Sequence, residues 1–281
     1  MISDSRLIAV ALTSLLVFGQ ESSTVRPDPP IACGDCAQWN APREPYRVFG
    51  NTYYVGVQGL SSVLIASDAG LMLLDGGLPQ SAPLIAENIR KAGFRTADIR
   101  LILNSHAHFD HAGGIAALQR ASGAVVAASA AGARAIERGG PTADDPQYAL
   151  GGTFPAVTNV RVVSDGEVVR VGDLAVTAHL TPGHTPGSTT WSWRSCEGTR
   201  CRDIVYADSL NPVSAPDFRF TGDAKPPGVV AEFRRSIAKV AALPCDVLLT
   251  VHPAFAAGQS CRTYAAGAAK RLDERIAQER R

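Results

Sequence analysis

From Tyr46 onward, apolar and polar positions alternate over short stretches, at Tyr46–Phe49, Thr52–Gly56, Ser62–Ser67 and Leu71–Asp75. A two-residue period predicts β-strands, and Asn51 and the Asp68-Ala69-Gly70 stretch place turn residues between them. Between Ser81 and Ala92 the period lengthens, and Leu84, Ile85, Ile89 and Ala92 fall on one stripe of a helix. The apolar run Ile99–Leu103 suits a buried strand. Residues 111–121 and 129–138 read as helices on either side of a small strand at Ala124–Ala127. Gly139–Thr158 is rich in Gly, Pro and Asp, which predicts an excursion over the surface. A second β-rich set follows at Arg161–Val163, Glu167–Val171, Leu174–Leu180, Thr189–Arg194 and Asp203–Tyr206. Helix Val229–Ala242, strand Val247–Val251 and helix Arg262–Gln278 finish the chain, the last with an apolar stripe of Ala265, Ala269, Leu272 and Ile276. Hairpins and then helices thus occur twice. This predicts an α/β (α+β) fold class, with two sheets packed face to face and helices outside.

The first residues break this rhythm. Arg6 precedes an apolar run from Leu7 to Phe18, after which Gly19-Gln20-Glu21-Ser22-Ser23 turns polar and Pro27, Pro29 and Pro30 follow. A positive start, a short apolar stretch and small residues describe a secretory signal peptide. The run is too short for a spanning helix, which needs roughly 20 apolar residues. Residues 1–22 are therefore expected to be an export signal cleaved within 19–23, residues 23–45 an N-terminal extension, and residues 46–281 a single domain. A net charge of +1 leaves no basic field for nucleic acid or anionic lipid. The six cysteines fall into three local pairs, Cys33/Cys36, Cys196/Cys201 and Cys245/Cys261. In an exported chain an even count is read first as disulfides. Cys33-Gly-Asp-Cys36 also allows a redox or zinc CxxC reading.

The chemistry concentrates in Asn104-Ser105-His106-Ala107-His108-Phe109-Asp110-His111-Ala112-Gly113-Gly114, where a buried strand runs into a helix. Three of the chain's six histidines fall there. In an extended segment residues i and i+2 point the same way, so His106 and His108 can reach one metal, while Asp110 and His111 can face a second. Imidazole nitrogen and carboxylate oxygen suit catalytic zinc with an open water position. Two further histidines sit on short loops: His184 within Thr181-Pro182-Gly183-His184-Thr185-Pro186-Gly187-Ser188, where prolines and glycines fix the turn, and His252 after an apolar strand. His179 lies inside a strand pattern and reads as an ordinary hydrogen-bonded residue.

The HxHxDH motif, the Pro-Gly-His-Thr-Pro-Gly turn and the late loop histidine together resemble the metallo-β-lactamase superfamily over residues 46–281. Gly50-Asn51-Thr52-Tyr53-Tyr54-Val55-Gly56, Tyr206-Ala207-Asp208-Ser209-Leu210 and Leu243–Thr250 are similar to subclass B3 β-lactamases. The resemblance implies an αβ/βα four-layer sandwich with two Zn2+ per chain. By the family's pattern His106, His108 and His184 bind the first zinc, and Asp110, His111 and His252 the second, with Asp110 orienting a shared hydroxide. That hydroxide opens the β-lactam ring of penicillins, cephalosporins and carbapenems, giving antibiotic resistance. Ser209 stands where other subclasses carry a cysteine ligand. Asn211 replaces a serine usual in the family, and both residues are expected to bind the substrate carboxylate. The resemblance extends to a Cys245–Cys261 bridge beside the His252 loop. A periplasmic monomer is implied that acts on a small molecule, with no nucleic acid, no membrane after signal cleavage and no obligate protein partner. The alternatives are a lactonase or thioesterase on the same dinuclear fold, in which an Asp at about position 208 bridges both metals, and, more distantly, a non-catalytic zinc-binding module.

Overall fold

The computed structural model describes residues 25–222 and 228–281, so the expected export signal lies outside the described residues. Seven strands cross the first sheet in sequence order: β1 Tyr46–Phe49, β2 Thr52–Tyr54, β3 Val63–Ser67, β4 Gly70–Leu74, β5 Ile99–Leu103, β6 Val125–Ser129 and β7 Arg161–Val163. The first four pair antiparallel through tight turns. From β4 to β7 the pairing is parallel, so each return crosses a face of the sheet and carries helix. The helices of this half are α1 Cys36–Trp39, α2 Ala82–Lys91, α3 Phe109–Ala112, α4 Ile115–Ser122 and α5 Ala130–Arg138. The second sheet has the order β12-β11-β10-β9-β8, built from β8 Val168–Val171, β9 Leu174–Leu180, β10 Thr189–Glu197, β11 Arg200–Ala207 and β12 Val247–Thr250. Helix α6 Val229–Ala242 makes the parallel crossover from β11 to β12, and α7 Cys261–Glu279 closes the chain.

Alternation along single strands builds the layers. In β4, Leu71 and Leu73 face the α2, α4 and α5 side, whereas Met72 and Leu74 face the other sheet. In β9, Leu174, Val176 and Ala178 are buried while the residues between them are partly exposed. Between the sheets lies a core containing Ile65, Met72, Leu103, Val176, Trp191 and Ile204. Behind the second sheet, Val205, Phe233, Ile237, Tyr264 and Leu272 form a third apolar layer with α6 and α7. The order is helix, sheet, sheet, helix, as expected, and removing the apolar faces of both sheets from water is what drives it.

Most predicted elements recur with ends shifted by one or two residues. Three differences matter. The helix expected over 111–121 is two helices, separated at Gly113-Gly114. The β10–β11 hairpin runs further than predicted, because Cys196 and Cys201 are directly opposed partners in its register and are bridged. The segment 139–158 does reach the surface, with Ala143, Asp144 and 148–151 exposed, but it is anchored more deeply than expected: Pro141, Asp145 and Pro146 are buried, and Phe154 and Val157 join the helix-side core. Bridges also join Cys33 to Cys36 and Cys245 to Cys261, and among the described residues no cysteine is free. The CxxC is thus a disulfide, and it packs Cys36 with Val57, Leu60 and Leu78. No helix among the described residues is long and apolar enough to cross a membrane.

Candidate metal centre

Strand β5 ends at Leu103 because the following turn is held by groups outside the sheet. Trp191 Nε1 donates to the Asn104 carbonyl at 3.1 Å, and the Thr189 N–H donates to Ser105 O at 2.8 Å. From the other side Asp75, just past β4, accepts from Ser105 N (2.8 Å), Ser105 Oγ (2.6 Å), Asn104 Nδ2 (3.1 Å) and Tyr206 Oη (2.8 Å). Burial pushes the Asp75 carboxyl up to about 6, although His111 and the Ser105 and Tyr206 donors pull it down. Its φ of 58° is a left-handed conformation that Asp tolerates better than most residues. From this anchored turn His106 and His108 project, and α3 opens with the Ala112 N–H donating to His108 O at 2.8 Å. That single turn of helix brings Asp110 and His111 back over the first two histidines. At Gly113 a side chain would meet the Phe109 carbonyl and Pro79, and at Gly114 the Gly76 carbonyl, so only glycine lets α3 run on into α4 here.

His184 sits in a turn closed by Thr181 N–H to Ser188 O (2.8 Å) and Gly183 N–H to Thr185 O (3.1 Å). Ring centroids of His106, His108 and His184 lie 4.8, 4.8 and 5.1 Å apart, and one ligand atom from each falls within 4.8 Å of the others. His106, Asp110 and His111 satisfy the same condition. His252, just past β12, places Nε2 3.3 Å from Asp110 Oδ2 and its ring 4.9 Å from that of His111. The six residues singled out in the sequence are therefore together. Ser209 and Asn211 line the same cavity, of about 530 Å³, with Trp39, Gln147 and Phe255 also in its wall. His179 is elsewhere, bonded to Ser192 Oγ at 2.7 Å across β9 and β10.

The far nitrogen of four of these rings is already committed. His106 Nδ1 meets Asp208 Oδ1 at 2.6 Å, His184 Nδ1 donates to Asn211 O at 2.9 Å, and His252 Nδ1 donates to Gly59 O at 3.1 Å. His108 is turned the other way, with Nε2 3.0 Å from Asp145 Oδ2. Each contact fixes a tautomer and aims the remaining nitrogen inward. Burial, with His111 and His108 nearby, holds His106 well below the usual histidine range; burial, with His106 and His108, holds His184 at about 3. Both are neutral imidazoles, the form that ligates a metal. Burial opposes a charge on Asp110, but His111 and His252 outweigh it and keep the carboxyl well below its ordinary range.

Metal fit can be judged from the orphaned atoms. His106 Nε2 and both ring nitrogens of His111 are buried without a hydrogen-bond partner. Unpartnered buried polar atoms cost about 1–3 kcal/mol each. A cation beside His106 Nε2 and one beside a His111 nitrogen would remove that cost for the atoms bound, and a set of imidazoles with a carboxylate and no thiolate suits zinc. Asp75, Asp145 and Trp39, whose ring lies 5.2 Å from that of His252, escaped the sequence reading. Only Asp75 had a local signal there, an Asp-Gly-Gly at a strand end.

A family model described as the metallo-β-lactamase superfamily matches residues 55–254. Among solved structures, the chain is 48% identical to the Rm3 metallo-β-lactamase, covering 89% of this chain and 100% of that one at a TM-score of 0.86. It is 50% identical to MEM-A1, a subclass B3 metallo-β-lactamase from a soil metagenome library (TM-score 0.83, 86% and 98% covered). With BJP-1, a subclass B3 enzyme of Bradyrhizobium japonicum, identity is 34% and TM-score 0.78, with 87% and 97% covered. A hydroxyacylglutathione hydrolase of Anaeromyxobacter dehalogenans is 32% identical over 190 residues, which span 68% of this chain but only 58% of that relative.

Proposed function

This chain belongs to the metallo-β-lactamase superfamily, and on that premise we propose that it is a subclass B3 zinc hydrolase opening the β-lactam ring of penicillins, cephalosporins and carbapenems, and so conferring antibiotic resistance. The observation that carries this reading is the converging set of five histidines and Asp110 with every described cysteine locked in a disulfide. That leaves an all-nitrogen-and-oxygen donor set, the pattern of the B3 enzymes this chain resembles.

In this reading His106, His108 and His184 hold one zinc and Asp110, His111 and His252 a second. When bound, zinc supplies a Lewis acid for the lactam carbonyl and acidifies water to a pKa near ~7. Asp110, ionised by its histidine neighbours, accepts a hydrogen bond from the attacking water and fixes its direction. Ser209 and Asn211 donate to the substrate carboxylate; their part is orientation rather than bond-making. The Asn211 backbone N–H lies 3.4 Å from Ser209 Oγ, which keeps the two residues together at the cavity edge. Trp39 and Phe255 supply apolar cavity wall and exclude water from one side. We assign catalysis to a domain of residues 46–281, with the 23–45 extension contributing Trp39. The chain acts alone, as an exported periplasmic monomer, on a small molecule.

The match to a hydroxyacylglutathione hydrolase favours a second reading, a thioesterase. Asp208 weighs against it by position: its Oδ1 lies 2.6 Å from His106 Nδ1, on the far side of that ring from Nε2, which leaves only the unpartnered Oδ2 for any other contact. The two readings part when one zinc-loaded preparation is given nitrocefin, a carbapenem and S-lactoylglutathione. The lactams should turn over at least 100-fold faster by kcat/KM; a faster thioester would reverse the assignment.

A further inference from the structure

We propose that Asp145 is a positioning residue for His108, and that through it the 139–158 segment and the first metal-binding triad are energetically coupled. The inference rests on the metal reading of the site and concerns a residue outside the six ligands. Asp145 is buried, and its two carboxylate oxygens serve different masters. Oδ2 lies 3.0 Å from His108 Nε2, while Oδ1 accepts the Gln147 N–H at 2.7 Å. Its backbone is equally tied: the Asp145 N–H donates to Thr142 O at 2.8 Å, and the Tyr148 N–H donates to Asp145 O at 3.0 Å. Next to it the Ala215 N–H donates to Pro146 O at 2.8 Å, which joins this segment to the chain beyond Asn211. Gln147, Leu150 and Gly151 then form one wall of the cavity.

One carboxylate thus links a ligand ring to the substrate-facing wall. Of the four ligand rings with a committed nitrogen, only His108 leaves Nδ1 free, and the acceptor behind Nε2 is what holds that orientation. His108 would hold a metal through Nδ1, which would polarise the ring, strengthen the Nε2–H donor and so tighten the Asp145 contact. By linkage, an ordered 142–151 segment must favour metal by the same factor. Asp208 serves His106 in a similar way, but directly after β11, and His184 and His252 are held by the backbone carbonyls of Asn211 and Gly59; Asp145 is the carboxylate that does so from within the 139–158 segment.

The test compares Asp145→Asn with Asp144→Asn, the neighbouring exposed aspartate, which removes the same charge from the same loop. An amide has one acceptor oxygen where the carboxylate has two, so in Asp145→Asn either the His108 Nε2–H or the Gln147 N–H faces an NH2 group. Cobalt(II) titration of the metal-free protein, followed by visible absorption, reads site occupancy without turnover. The first cobalt should bind about 10–100-fold more weakly in Asp145→Asn, with an altered spectrum, and as in the parent in Asp144→Asn. In the parent, metal should slow hydrogen exchange of the 147–151 amides. Parent-like cobalt affinity and spectrum in Asp145→Asn overturn the inference. If that variant does not fold, the parent decides alone: exchange at 147–151 that metal leaves unchanged also overturns it. A parent that binds no cobalt defeats the metal reading itself and is told apart by that result.

Discussion

Asp75 shows how much of the centre depends on one residue that touches no ligand atom. Four donors converge on its carboxylate and lock the turn from which His106 and His108 project. Asp75→Asn keeps the shape but turns one oxygen into a donor, stranding at least one of those partners. It should cost about 1–3 kcal/mol, read from denaturant midpoints of the metal-free protein. The ligands themselves should separate by site. His108→Ala should remove mainly the first zinc and His252→Ala mainly the second, each leaving close to one equivalent by elemental analysis. Equal depletion of both ions in either variant would contradict the division into two triads. At this scale the histidines and Asp110 were legible because ligand chemistry is carried by residue type and i, i+2 spacing. Asp75 and Asp145 were not, since their partners lie 30 and 37 positions away; the Asp-Gly-Gly after β4 marks a turn at Asp75 but says nothing of those partners.

At the scale of elements, the Cys245–Cys261 bridge closes a 16-residue separation that contains β12, His252 and the entry to α7. Loop-closure entropy for such a span is worth about 3 kcal/mol. Cys245→Ser with Cys261→Ser should therefore lower stability by about that amount and loosen the second zinc more than the first. Thermal melts and metal competition with a chromophoric chelator read the two effects separately. Periodicity located α6 at Val229–Ala242 without error, because Phe233, Ile237 and Val240 must all face one layer. It caught only half of 139–158, where Pro and Gly suggested solvent and Ala143, Asp144 and 148–151 are indeed exposed. Phe154 and Val157 are too few to make a period, yet both are buried, and Asp145 pins the segment to the metal centre. The α3–α4 break was likewise invisible, since Gly113 and Gly114 interrupt no apolar stripe; their need comes from Gly76 and Pro79 pressing against them.

For the whole molecule, the buried histidines make stability depend on pH in a definite direction. His106, His179 and His184 have folded-state values below the ordinary 6.5, chiefly through burial. Below that pH the unfolded chain takes up protons that the folded chain refuses, so stability falls as the solution is acidified, by up to about 1.4 kcal/mol per pH unit per group. Asp75 works against this: with its carboxyl raised from 3.8 to about 6, it takes its proton in the folded state as pH falls through that range. His111 and Asp208, also raised, act in the same sense as Asp75, but below pH 6.5 the His111 proton is increasingly held by the unfolded chain as well and its effect fades. The three lowered histidines therefore dominate between pH 6.5 and 5, so metal-free protein should unfold at lower urea at pH 5 than at pH 6.5, and a flat or rising midpoint would contradict the burial argument. Zinc should widen the gap between loaded and metal-free protein at neutral pH, because it binds only the assembled ligands.

Two adjacent ligand sets that form a lactam-opening zinc centre must make turnover depend on the metal. The most direct measurement is carbapenem hydrolysis by metal-free protein as zinc is added back in known amounts, followed by chelation. No turnover should be seen without metal, the rate should rise and level off at two zinc equivalents per chain, and the chelator should abolish it. Turnover that persists in the metal-free protein, or two tightly bound zinc ions with no lactam turnover, would contradict a lactam-opening zinc centre.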